Sequence, residues 1–406
     1  MFNRIFLNFK SRKDVIPLTI ILSISPLPPL STLLHLKKLG FYEYLPEKPL
    51  SVKQLKEKGY SKSFIELYRE ALKSQTTGSR RGLTSFIEEK LLEFKTSAEI
   101  AEMRTLSNSS LMNSLAIVVP TLITTLMLVT SPQVAPLTLI LLSLVSLITV
   151  LALNIPVALS LHSYRFKDPI VLITLVLALP LTLLLKDPLT SMLIASIPAF
   201  VFSLINVIRE NKLRNKILEL VKTASQASIT NIFKLIKTTP RKLFETFDYG
   251  VMKAVAIALY LISAYSPSPE AYDKLLEYTR VYVSTVKKIR GKFNAILVYS
   301  VIMIAFSVST IYLTVFSIGK FSSTIPENTV LPGYYFISLP SKSQIEKIED
   351  ALDLAIIINA VAFSMMCAML REGNPLYLSL YLPALLTVAL LGRHLTLTYL
   401  VPLIVK

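Results

Sequence analysis

Apolar residues in this chain are gathered into long runs separated by charged blocks. The runs cover residues 111–129, 137–161, 169–185, 189–208, 295–318 and 351–370. Each approaches the roughly 20 residues that a helix needs to cross about 30 Å of hydrocarbon. They predict about four spans in 111–208 and about three in 295–406. The charged blocks, 37–110 and 209–294, carry helical patterns of their own. In the first, Ile87, Leu91, Phe94, Ala98 and Ala101 recur at spacings of four and three, which is one apolar helix face. The fold class this predicts is all-α: a polytopic transmembrane helical protein with two helical bundles on the cytoplasmic side.

Charge sets the orientation. Arg209, Lys212, Arg214 and Lys216 follow one span, and Lys287, Lys288, Arg290 and Lys292 precede the next. Lys and Arg are retained on the cytoplasmic side, so both ends of 209–294 face inward. The basic loop 162–168 and the turn 371–374 read the same way, whereas Ser131-Pro132-Gln133 and the loop 319–342, with Tyr334, Tyr335 and Phe336, read as external. Residues 1–36 hold Arg4, Lys10, Arg12 and Lys13, then an apolar stretch broken by Pro17, Pro26, Pro28 and Pro29. If that stretch crossed with its basic end inside, the charged block after it would lie outside. An interfacial or re-entrant segment is therefore expected. The tail 375–406, interrupted at Gly392-Arg393-His394, reads as one kinked span or two half-spans.

Local signals place helix ends. Thr239-Pro240 and Ser268-Pro269 each pair an N-cap residue with proline at the first helical position, and they predict short helices in 209–294. Ser343-Gln344-Ile345-Glu346 reads as a capping box. The turn Thr77-Gly78-Ser79-Arg80-Arg81-Gly82 divides the first block.

The 406 residues are 52% hydrophobic with a mean hydropathy of +0.57, too apolar for a soluble domain. The net charge of +17 is explained by topology and anionic headgroups, so no nucleic acid is expected. One cysteine, Cys367, and three dispersed histidines, His35, His162 and His394, offer no convergent metal ligands, and no cofactor is expected. No enzyme activity is expected either. No glycine-rich phosphate loop is present, and neither Asp187 nor Asp353 has a convincing partner. Prolines inside runs (Pro156, Pro180, Pro198, Pro383) would suit a secondary transporter or permease, the alternative reading. Against it, the span interiors show only Ser, Thr and Asn154 as polar groups, whereas transport sites usually hold buried ionisable ones.

An internal repeat adds to the picture. Lys90-Leu91-Leu92-Glu93-Phe94 matches Lys274-Leu275-Leu276-Glu277-Tyr278, and the same offset carries Leu111 onto Ala295, where later spans begin.

A duplicated helical bundle followed by membrane helices resembles the type II secretion F-domain family, the platform proteins of type II secretion systems, type IV pili and archaella. The stretch Phe244-Glu245-Thr246-Phe247-Asp248-Tyr249-Gly250 is similar to the Asp-Tyr-Gly element of the archaeal branch. The helix 86–104 resembles the end of the family's first bundle, and Met369-Leu370-Arg371-Glu372-Gly373-Asn374 its turn before the last span. The resemblance implies a homo-oligomeric platform in the cytoplasmic membrane of an archaeal cell. It would couple a hexameric secretion ATPase to the assembly of pilin-like subunits within the lipid bilayer. The partner-binding candidates are Arg80, Arg81, Arg241 and Lys242, where arginine suits carboxylates, together with Asp248, Tyr249 and Gly250. Each of the basic four suits a solvated face against anionic lipid better than a partner contact, and the last three suit a helix junction equally well.

Overall fold

The computed structural model describes residues 2–113, 119–153, 170–227, 232–235, 238–265, 267–324 and 340–404. Among these residues the fold is helical, with no strand. In chain order the helices are α1 (Phe2–Lys13), α2 (Val15–Ile24), α3 (Pro29–Lys38), α4 (Val52–Lys58), α5 (Lys62–Thr77), α6 (Arg81–Asn113), α7 (Val119–Thr130), α8 (Ala135–Leu153) and α9 (Ile170–Leu185). They continue with α10 (Pro188–Gln226), α11 (Ile232–Leu235), α12 (Pro240–Thr246), α13 (Gly250–Tyr265), α14 (Pro269–Lys292), α15 (Asn294–Thr324), α16 (Lys342–Cys367) and α17 (Leu382–Leu395). Asn154, Pro156, the basic loop 162–168 and the external aromatic cluster at 334–336 lie outside the described residues.

Among the described residues four helical stretches are long and apolar enough to cross a membrane: Pro188–Gln226, Pro269–Lys320, Ser343–Glu372 and Leu382–Leu403. The pair α2 and α3, bent by 119°, makes a fifth if counted as one broken span. The chain is thus a helical membrane protein. It divides into two compact units, one formed from residues 1–99 and 208–289, the other from 100–157, 166–207 and 290–406, as far as these are described.

The first unit is built around α2. Its sequence is apolar on every side, and all ten residues are buried. A helix hydrophobic all round belongs in a protein core or in lipid, and here α13 and α5 cover it. Its polar positions are internally satisfied: Thr19 Oγ1 donates to the Val15 carbonyl at 2.6 Å and Ser23 Oγ to that of Ile20 at 3.0 Å. The stretch expected to be interfacial or re-entrant thus has its first helix packed inside this unit, and with α3 it has the bent form of a broken span or re-entrant loop. Proline explains the bend, because Pro28 precedes α3 and Pro29 occupies its first position.

Both charged blocks contribute to this unit. In the block 209–294 only α11 and α12 are short. Nothing between Pro269 and Lys292 breaks the backbone pattern, and α14 runs unbroken through it. Thr239 caps α12 as expected, accepting from the Lys242 N–H at 3.3 Å with Pro240 at the first position. The repeat positions Leu91 and Phe94 on α6 and Leu275 and Tyr278 on α14 are all buried.

The second unit is centred on α16, which packs against α8, α15 and α17. Its neighbour α8 inverts the soluble pattern. Ala135, Leu139, Ser143, Ser146 and Val150 are buried at helical spacing, while Leu137, Leu141 and Ile148 are exposed. Small inward residues such as Ala135, Ser143 and Ser146 let membrane helices approach closely, and the exposed Leu137, Leu141 and Ile148 suit contact with lipid. The cap of α16 falls two residues earlier than its sequence suggests: the Gln344 side chain accepts from the Ser341 N–H at 2.8 Å, pairing Ser341 rather than Ser343 with the first turn. The tail is one helical run, Leu382–Leu403, with a π turn at Thr396–Leu400 directly after Arg393 and His394.

Candidate functional site

The structure separates the sequence-derived candidates by what each side chain touches. Arg80 turns inward. Its guanidinium donates to the Leu27 carbonyl at 2.9 Å and to that of Ser25, pinning the α2–α3 bend, and burial pulls its pKa down. Arg81, one residue on, is exposed. Arg241 is exposed too and pairs with Glu245, one turn along α12, at 3.0 Å; Lys242 beside it is exposed.

Asp248, Tyr249 and Gly250 form a junction between α12 and α13. Gly250 adopts φ +58, the left-handed region that side chains with a Cβ disfavour, and no atom lies within 4 Å of where a Cβ would stand. Backbone conformation, rather than crowding, therefore requires the glycine. Tyr249 donates its phenol to Glu210 on α10. Burial, then the adjacent Glu210 charge, raise its pKa. Glu210 and Arg214 are themselves buried one helical turn apart, and Arg214 also faces Tyr282 on α14. Arg214, counted from sequence as a marker of membrane sidedness, is thus part of an interior polar cluster that ties the junction to two long helices.

The second unit holds a constellation that sequence reading missed. Asp187, at the turn between α9 and α10, meets Arg393 of α17 in a two-pronged ion pair of 3.0 and 2.8 Å. Arg393 also reaches Asp353 of α16 at 2.9 Å, and Tyr312 of α15 donates to the other oxygen of Asp353. Thr190 donates to Asp187 at 2.5 Å. Burial raises the Asp187 carboxyl, but the hydrogen bonds from Arg393 and Thr190 outweigh it and hold the group below its usual range. Asp187 and Asp353 do have a partner, and the span interiors contain more than Ser, Thr and Asn154. The available signal was chemical: a lone charge in an apolar run is too costly to stand alone, so Arg393 and Asp353 require each other. Their separation of 40 residues hid the pair.

Asp187, Asp353 and Arg393 line a cavity of about 760 Å³, which Glu349, Asp350, Lys186 and His394 also border. At the other end of α16 lies a second charged cluster. Glu372, almost fully buried, accepts from Tyr381 at 2.8 Å and pairs with Arg290, with Arg371 at 3.8 Å. Asp353 and Glu372 are about 19 residues apart, roughly 28 Å at about 1.5 Å per residue, close to the thickness of a bilayer's hydrocarbon core. The Asp353 end carries two carboxylates against one arginine, and the Glu372 end one carboxylate against two arginines.

No protein-family model, curated protein or solved structure matches this chain.

Proposed function

We propose that this protein is the membrane platform of a type IV pilus-like, archaellum or type II secretion machine, passing the work of a cytoplasmic hexameric ATPase to pilin-like subunits. The observation that carries the reading is the setting of Phe244-Glu245-Thr246-Phe247-Asp248-Tyr249-Gly250, the stretch that resembles the family. It forms the junction that joins α12 to α13 and, through Tyr249, holds Glu210 of α10. The helix α10 is charged in this half and apolar in its first half, from Pro188 onward. One helix, with Pro198 inside it, thus carries both the charged segment that Tyr249 holds and an apolar segment long enough to cross a membrane. Arg241 and Lys242 sit at the start of α12, exposed, where an acidic surface of the ATPase would reach them.

The test reverses that charge. Arg241→Glu with Lys242→Glu should reduce co-purification of the partner ATPase more than tenfold, and more steeply as salt rises, with unchanged membrane insertion. Unaltered, salt-insensitive co-purification with normal filaments would refute the docking role.

A permease is the second reading, favoured by the charged cavity between the α9–α10 turn, α16 and α17. It requires substrate or ion flux in proteoliposomes that Asp353→Asn abolishes. A tight liposome preparation without flux for either protein removes it.

A further inference from the structure

The amphipathic helix α1 has two opposed faces. One is docked. Leu7 packs against the core of the first unit, and Ser11 is fully buried, with its Oγ accepting from the Ser61 N–H at 2.9 Å. Arg4 approaches Gly59 so closely that a Cβ on the glycine would lie 3.1 Å from that of Arg4. At about 100° per residue, Ile5, Phe6 and Phe9 fall on the face opposite Leu7 and Ser11. They are 63%, 53% and 68% exposed. Single exposed apolar residues are ordinary, but three large ones side by side on a docked helix mark a contact surface.

The surrounding charge identifies the contact. At the same spacing Lys10 and Arg12 border this face and Lys13 falls within it at the C-terminal end, and α1 contains no acidic residue. The Lys10 ammonium lies 4.4 Å from the centroid of the Phe6 ring, so cation and apolar surface are presented together. An apolar stripe edged by Lys and Arg is the pattern of a helix lying in the headgroup region of an anionic bilayer. The spans keep the chain in a bilayer, so such a surface is always near at hand.

We propose that α1 is an interfacial helix that lays Ile5, Phe6 and Phe9 into the boundary between headgroups and acyl chains of an anionic membrane, with Lys10, Arg12 and Lys13 on the lipid phosphates. The inference is independent of the platform and permease readings.

The experiment uses the full-length protein in a Cys367→Ser background, with a nitroxide attached at Ile5→Cys, Phe6→Cys, Asn8→Cys or Phe9→Cys. The samples are reconstituted in nanodiscs of phosphatidylcholine, with or without phosphatidylglycerol. With phosphatidylglycerol, labels at 5, 6 and 9 should be more accessible to oxygen than to a water-soluble nickel chelate, and the label at 8 the reverse. The contrast should shrink without phosphatidylglycerol and on adding Arg12→Glu. Equal chelate access at all four positions in both discs would overturn the proposal. Protection of 5, 6 and 9 from both reagents would also overturn it, because protein would then be covering the face.

Discussion

Asp353 and Arg393 meet at 2.9 Å across two helices that each read as membrane spans, and Arg393 grips Asp187 at the same time. One cation therefore holds three helical segments, α10 at its first turn, α16 and α17. Each partner is only partly exposed, so loss of one leaves an uncompensated charge in a poorly solvated place. Removing one side of a buried pair costs about 3–5 kcal/mol, and the partial exposure of Arg393 argues for about 3. Arg393→Met should lower thermal stability in detergent by that amount. Asp353→Asn should cost less, since Asp187 still pairs. Additive effects in the Arg393→Met, Asp353→Asn double variant would show that the two do not interact.

The Lys and Arg clusters at both ends of 209–294 predict topology. In a Cys367→Ser background, Lys234→Cys should react with an impermeant maleimide only after the membrane is opened. A cysteine at Lys186 should react in intact cells. Labelling of position 234 from outside would reverse the orientation.

Two adjacent arginines should behave differently. Arg80 supplies donors to the Ser25 and Leu27 carbonyls, and losing hydrogen bonds to a charged group costs about 1.5–3 kcal/mol. Arg80→Ala should destabilise by about that much, and Arg81→Ala by less than about 0.5 kcal/mol. Equal melting temperatures for the two variants would contradict the pinning of the bend.

Gly250→Ala should cost about 1–2 kcal/mol through its left-handed backbone alone, since no neighbour obstructs a Cβ. Gly250→Asn should recover part of this, because asparagine tolerates that region better. An alanine variant as stable as wild type would mean the junction relaxes to a negative φ.

The base of α2 carries a pH dependence. Burial raises the pKa of Asp14, against the opposing pulls of Tyr44, Lys13, Lys253 and Lys10. A carboxyl raised in the fold binds its proton more tightly there than in the unfolded chain. Stability is therefore lost as pH climbs from the ordinary carboxylate range, about 4, through the raised value. Asp14→Asn should flatten the melting profile over that window and stabilise the protein at neutral pH. A steeper profile in the variant would invert the sign.

Much of the architecture was legible along the chain. Runs such as 189–208 and 351–370 announce spans because hydrocarbon demands about 20 apolar residues and tolerates no open backbone. Thr239-Pro240 announces α12 because capping is settled within four residues. Such features depend on neighbours in sequence, and there pattern suffices. What tertiary structure alone decided depends on partners far away. The segment 15–24 looks the same whether lipid or protein covers it, and only α13 and α5 make it core. Arg80 and Arg81 are indistinguishable as letters, yet one is used up on the α2–α3 bend and the other is free to face solvent. The charges Asp187, Asp353 and Arg393 lie up to 206 residues apart. Sequence shows each as an expensive exception, and only packing brings them within hydrogen-bond reach and turns three costs into one network.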